Sequence, residues 1–261
     1  CMRILIIRHG DPDYSIDSLT EKGWREADLL APRMLKEHIT AFYASPLGRA
    51  QDTAKPTLDL YEKETGVRPK IETLEWLREF PAHIDLDLTT VGAPEGTPVL
   101  HCPWNMPPQY WSSQPEFFTQ EWRNHPMYMD KSCEVVPVFE RVIKGWGDLM
   151  ECHGYRRGAG SDGRPGYIYD VLPGTEKNQT IALFCHHGLG TSLIAAITGI
   201  PLPLCWKSFF LPTSSVTTVL MEENPAFPGH PQAHIIGVGD ESHLYAGGEP
   251  ISSSGLFCPI E

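Results

Sequence analysis

The chain has 261 residues, 41% of them apolar and 21% charged, which excludes a disordered or collagen-like polymer and leaves room to bury a core without covalent staples. Its 33 acidic against 21 basic residues give a formal charge of -12, a balance that repels phosphate backbones and anionic lipid. Nucleic acid is therefore excluded as a partner, and any anionic ligand must be drawn in by a local cluster of arginines.

No apolar run approaches the roughly 18 residues that mark a membrane span, so no membrane partner is expected. Seven cysteines are scattered without a C-x-x-C pair. That usage suits a reducing compartment, and the expected location is cytoplasmic.

The first element is a β-branched run at 4–7, Ile-Leu-Ile-Ile, bounded by Arg3 and Arg8; such a run reads as a strand buried on both faces and ending at Arg8. Thr20 is placed to cap a helix whose apolar positions Ala27, Leu30, Ala31, Met34 and Leu35 keep helical spacing. Pro32 inside that stretch predicts a kink or an early break. A second strand is expected at 39–44, a second helix at 47–64 closed by Gly66, and a short strand at 71–74.

From 82 to 174 the texture changes, with prolines alternating with Trp104, Tyr110, Trp111, Phe117, Phe118, Trp122 and Tyr128. A structureless loop of that length is improbable in a compact domain. Short helices are expected instead, one at 135–151, followed by a hairpin at 155–172 with Gly158, Gly160, Gly163 and Gly166 as turn signals. The whole stretch reads as an insertion over the core, serving as the core of a lid or as a wall against substrate. A buried strand at 181–185, a helix at 188–198 stopped by Gly199 and Pro201, and strands at 215–221 and 234–238 complete the order. Strands alternating with helices predict a three-layer α/β/α sandwich with a mostly parallel central sheet, organised as one domain over 1–261 with the cap insertion at 82–174.

Ligands of open α/β sheets bind beyond the carboxyl ends of strands. That rule selects Arg8-His9-Gly10, then Ser45-Pro46-Leu47-Gly48-Arg49, then His186-His187-Gly188. The last two open helices, whose free N-terminal amides would attract an anion. His9, Asp11, His186 and His187 could be read as metal ligands, but the arginines beside them would repel a cation. Gly188-Leu189-Gly190 lacks the third glycine and the downstream acid of a dinucleotide fingerprint.

With these stretches in hand, the sequence resembles the histidine phosphatase, or phosphoglycerate mutase-like, superfamily. The resemblance rests on LIIRHG ending at Gly10, LTEKGWREA at 19–27, YASPLGRAQDTA at 43–54, LREF at 77–80 and ALFCHHG ending at Gly188. It implies that His9 is a nucleophile forming a phosphohistidine, that Arg8, Arg49 and His187 hold phosphoryl oxygens, and that Glu79 donates the proton. His186 is expected to flank the site. Tyr14, Ser15, His83, Trp111 and Arg123 are candidates for substrate contact that the sequence does not rank.

The residue types suit that chemistry. Phosphoryl transfer needs positive groups around three oxygens and an in-line nucleophile, and arginine forks match the oxygens bidentately without losing charge. A neutral imidazole attacks phosphorus without a strong base, and a carboxylic acid then protonates the leaving alkoxide. No cofactor and no metal is required. The expected activity is that of a metal-independent acid phosphatase-type phosphomonoesterase acting on a small-molecule phosphate ester.

Two readings compete. Phosphoglycerate mutases usually carry Glu-Ser or Glu-Thr after R-H-G, whereas Asp11-Pro12 stands here, and the sequence shows no obvious second anion site for a bisphosphorylated intermediate. This favours hydrolysis over mutase-type transfer. A non-catalytic phospho-ligand binding module would be expected to lack one of the five reacting groups, and all five are present. A homodimer stands only as an analogy to the family.

Overall fold

The computed structural model describes residues 1–160 and 163–260. In chain order the elements are β1 (Met2–Arg8), β2 (Pro12–Asp13), β3 (Ser18–Leu19), α1 (Glu21–Lys36), β4 (Ala41–Ala44), α2 (Gly48–Thr65) and β5 (Ile71–Thr73). After several 3-10 turns come α3 (Pro108–Trp111), α4 (Pro126–Met129), α5 (Val135–Cys152), β6 (Tyr155–Ala159) and β7 (Pro165–Val171). The chain then returns through β8 (Gln179–Cys185), α6 (His187–Thr198), α7 (Leu202–Ser208), β9 (Val216–Glu222), β10 (Gln232–Asp240) and α8 (Ser242–Gly247).

Six strands form one sheet in the order β10-β9-β1-β8-β4-β5. Pairing is parallel from β1 through β8 and β4 to β5, and antiparallel from β1 through β9 to β10. Because side chains alternate across a strand, β1 feeds two cores. Ile4 and Ile6 join the side covered by α5, α6, α7 and residues of the insertion, while Leu5 and Ile7 join Leu30, Met34, Ala54, Leu58 and Tyr61 of α1 and α2. The expected α/β/α sandwich with a mostly parallel sheet is thus present.

Of the kink or early break expected at Pro32, the early break does not occur: helix α1 runs through Pro32 to Lys36. Pro32 lies on the exposed side, so the backbone bond it removes is lost where water can replace it, while Leu30, Ala31 and Met34 keep the opposite face anchored. The cap is as the sequence reads: Thr20 Oγ1 accepts from Gly23 N at 3.1 Å. Gly66 and Gly199 close α2 and α6 with φ of 80° and 79°, where a side chain would be strained.

Much of the aromatic stretch at 104–128 is core. Phe117, Trp122 and Tyr128 are buried and stack on one another, and Trp122 meets Phe139 of α5. The expected hairpin forms from β6 and β7; its tip at 161–162 lies outside the described residues.

Candidate active site

Three neighbouring parallel strands, β1, β8 and β4, end together and deliver His9, His186 and Ser45 to one edge. Two backbone bonds stitch the ends: His9 N donates to Cys185 O at 3.0 Å and Ser45 N to Phe184 O at 2.8 Å. The His9 and His186 rings stand 5.2 Å apart. Gly10 N donates to Thr53 Oγ1 at 2.9 Å, and that hydroxyl donates to Arg49 O at 2.7 Å, so the loop after β1 is tied to α2 at the arginine.

His9 is buried, and its Nδ1–H donates to Gly10 O at 2.7 Å. This bond fixes the tautomer, leaving the lone pair on Nε2. Burial, and then the Arg8 charge, hold His9 well below the ordinary imidazole value, so it is neutral at neutral pH. His187 opens α6, and its Nδ1 accepts from Leu211 N at 3.3 Å, which puts its hydrogen on Nε2. Burial, then Arg8, lowers it to about 3. His186 Nε2 bonds Ser45 Oγ at 2.7 Å, and that oxygen also accepts from Leu47 N. The Ser45 oxygen has a second lone pair, so this bond can run in either direction according to the His186 tautomer. Burial, then its neighbour His9, depress His186 as well.

Both arginines are anchored at one edge and unsatisfied at another. Arg8 donates from Nη1 to Leu211 O at 2.6 Å and from Nη2 to Ser254 O at 3.2 Å, and its guanidinium lies over Phe210. Arg49 Nη1 donates to Asp17 Oδ1 at 2.7 Å, and Tyr14 stacks on it at 5.2 Å. Arg8 Nε, Arg49 Nε and His186 Nδ1 are all buried and without a hydrogen-bond partner.

Glu79 corrects one part of the sequence reading. The amides that open α6 are not free: Gly188 N and Leu189 N donate to Glu79 Oε2 and Oε1 at 3.2 and 2.8 Å, and Phe80 N adds a third bond at 2.7 Å. Asp17 does the same for α2, accepting from Gly48 N at 2.7 Å. Both helix ends are thus occupied by carboxylates of the chain itself. Burial nevertheless outweighs these donors and Arg8, and pushes Glu79 above the usual carboxylate value.

Of the unranked candidates, Tyr14 stands beside Arg49, whereas Ser15 turns to cap Asp13. His83 packs on His101, Trp111 lies under Lys207, and Arg123 is held between Trp122 and Phe139. Trp104, Phe210 and Glu26 were missed. Trp104 lies edge-on to His187 at 6.1 Å, and Phe210 sits 5.0 Å from the same ring. Glu26, fully buried, accepts from Asp11 N and Thr213 Oγ1, both at 2.9 Å, which braces the loop after His9. An acid in the heptad-like run of α1 carries no sequence signal of that role. Among the described residues, no group of three or more His, Cys, Asp or Glu is arranged to hold a metal ion.

Residues 4–84 match the family model described as the histidine phosphatase superfamily, branch 1. Over 70 residues the chain is 36% identical to the 2,3-bisphosphoglycerate-dependent phosphoglycerate mutase of Thermoplasma acidophilum, a match covering 23% of this chain and 35% of the mutase. The fold is shared far more widely. A phosphoserine phosphatase of Entamoeba histolytica, solved with phosphoserine, aligns over 94% of this chain and 100% of its own at a TM-score of 0.55 and 17% identity. A mycobacterial glucosyl-3-phosphoglycerate phosphatase, solved with inorganic phosphate, aligns over 92% and 98% at 0.55 and 19%.

Residues 4–84 thus match the model of the histidine phosphatase superfamily, and over nearly its whole length the chain shares the fold of the solved phosphatases. The solved neighbours named here are phosphatases, and the curated relative is a mutase.

Proposed function

We propose that this protein hydrolyses a small phosphomonoester through a phosphohistidine on His9. One observation carries the reading. Three buried nitrogens without partners, Arg8 Nε, Arg49 Nε and His186 Nδ1, belong to the residues grouped around a neutral imidazole whose Nε2 is unprotonated. Buried donors left unpaired cost about 1–3 kcal/mol each, more when charged, and phosphoryl oxygens would supply the acceptors that the two guanidinium nitrogens lack.

In this mechanism His9 Nε2 attacks phosphorus as the ester oxygen leaves, and Gly10 O steadies the positive charge that develops on the ring. Arg8, Arg49 and the Nε2–H of His187 hold the equatorial oxygens. Glu79, raised by burial, protonates the leaving oxygen and, as carboxylate, draws the proton from the water that frees His9. The chemistry needs no metal and no cofactor, because guanidinium and imidazole donors supply the positive field. The expected location stays cytoplasmic, and Tyr14 and Trp104 are the side chains placed to meet the rest of the substrate.

The match to a phosphoglycerate mutase favours a second reading, transfer to a second hydroxyl of the same substrate. A panel of phosphomonoesters, sugar phosphates and phosphoglycerates distinguishes the two when released phosphate is measured against isomerised product. Mass spectrometry of acid-sensitive phosphorylation should find the label on His9, and His9→Ala should lose turnover while keeping its fold. Retention of more than a few per cent of turnover by His9→Ala would refute the reading.

A further inference from the structure

A second cavity, of about 400 Å³, lies at the other end of α6, bounded by the insertion, α5 and the β6–β7 hairpin. Helix α6 begins at His187 and ends at Thr198, so about 16 Å of helix separates this cavity from the catalytic edge. Its apolar wall includes Trp122, Phe139 and Ile143, and three guanidiniums, Arg123, Arg157 and Arg164, line it.

Arg123 and Arg157 are held rigidly. Arg157 lies between Tyr167 and Tyr169 at 5.2 and 5.9 Å, and donates from Nε to Gly166 O and from Nη2 to Ala196 O, each at 2.6 Å. Arg123 lies between Trp122 and Phe139 at 5.1 and 5.2 Å and is bonded through Nη1 to Glu140. A guanidinium covered by rings on its faces can bond only at its edges, and each of these keeps one buried edge nitrogen with no partner: Arg157 Nη1 and Arg123 Nε. Stapling the hairpin to α6 accounts for two of Arg157's donors. It does not account for the third, nor for an open volume beside it in the size range of ligand sites.

Charge points the same way. In a protein of net charge -12, Arg123, Arg157 and Arg164 line this cavity, and among the described residues its lining includes one carboxylate, Glu140, itself half-exposed. We infer that this cavity binds a small organic anion, its carboxylate or phosphoryl oxygens on Arg123 and Arg157 and an apolar body against Trp122, Phe139 and Ile143. The volume exceeds what an inorganic oxyanion fills, and an apolar wall gains only from an apolar body.

Phenylphosphonate, which has no ester bond to hydrolyse, is a suitable probe. Titration calorimetry of the full chain, with orthovanadate present to occupy the His9 site, should retain one binding event. Arg157→Met and Arg123→Met should each weaken it roughly tenfold or more, as loss of a charge-assisted contact implies, and basal turnover of a small phosphomonoester should stay within about twofold. Ile143→Trp fills the cavity while leaving both arginines, and should abolish the same event. No vanadate-resistant binding, or binding that survives all three substitutions, would overturn the inference. Because the deciding readout is dependence on Arg157, Arg123 and Ile143, it holds whether or not His9 is phosphorylated.

Discussion

Glu79 Oε1 stands 2.8 Å from Leu189 N, with Oε2 on Gly188 N, so the carboxyl group proposed as proton donor is also the group that satisfies the start of α6. The helix that supplies His187 therefore lends its positive end to an acid rather than to phosphate. Two opposing effects meet on one side chain: the amides favour its carboxylate, and burial favours its acid, which prevails.

Glu79→Gln separates these roles through the leaving group. Loss of a general acid costs about 100- to 10000-fold where the leaving oxygen needs a proton, so single-turnover phosphorylation by an alkyl phosphate should slow far more than by p-nitrophenyl phosphate. Glu75→Gln, on an exposed acid paired with Arg78, should slow neither. Equal slowing of both esters by Glu79→Gln would move Glu79 to a positioning role. The wild-type step should also lose rate at high pH as the raised carboxyl ionises, and Glu79→Gln should lack that alkaline limb.

Arg49 is bound to Asp17 through one nitrogen only. Arg49→Lys keeps the charge but not the fork, and kcat/KM should fall about 10- to 1000-fold, or about 1.4 to 4 kcal/mol. Near-native kinetics would assign Arg49 to the Asp17 ion pair alone.

Gly188 has no room for a side chain. A Cβ there would come within 2.5 Å of the Trp104 ring and 2.9 Å of Glu79 Oε1. Gly188→Ala should lower stability by about 1–3 kcal/mol and reduce kcat along with it, since Glu79 must shift. Gly147→Ala, where nothing lies within 4 Å, should instead stabilise α5 by about 0.5–1 kcal/mol. Thermal melts and kcat on both variants test the contrast.

Glu26 makes stability depend on pH. Burial lifts it to about 7 in the folded chain from an ordinary 4.5, so the folded state holds a proton that the unfolded state has released. Its stabilising contribution is complete below the unfolded value and is lost as pH rises through about 7. Glu26→Gln should flatten that loss, because Thr213 Oγ1 can turn to accept from the new amide. Denaturant midpoints between about pH 4.5 and pH 8 measure it; an unchanged slope would show that Glu26 is ionised throughout. The depressed histidines His9, His186 and His187 act in the opposite sense, and their contribution falls away below the ordinary imidazole value.

Much of this was legible in the sequence because it is local. The β-branched run before Arg8, the cap at Thr20 and the stop at Gly66 each declare an element by composition alone. What stayed hidden depends on contacts between distant segments. Nothing in residues 75–80 says that Glu79 will seat itself on α6, and nothing in 16–18 says that Asp17 will close α2. That α1 continues past Pro32 was hidden too, because a proline's tolerance depends on which side of the helix faces water. Trp104 was lost among other aromatics, since only its place against Gly188 sets it apart from the buried Phe117 and Trp122.

The strand order has a consequence for the order of synthesis. Strand β8 lies between β1 and β4, and β9 covers the other edge of β1, so β1 leaves the ribosome long before either strand that flanks it in the sheet. Arg8 meets its last partner, Ser254, 246 positions later. Such long closures slow folding and prolong exposure of the apolar run at 4–7. The segment 4–84 that matches the family model should therefore be the part most in need of protection during translation.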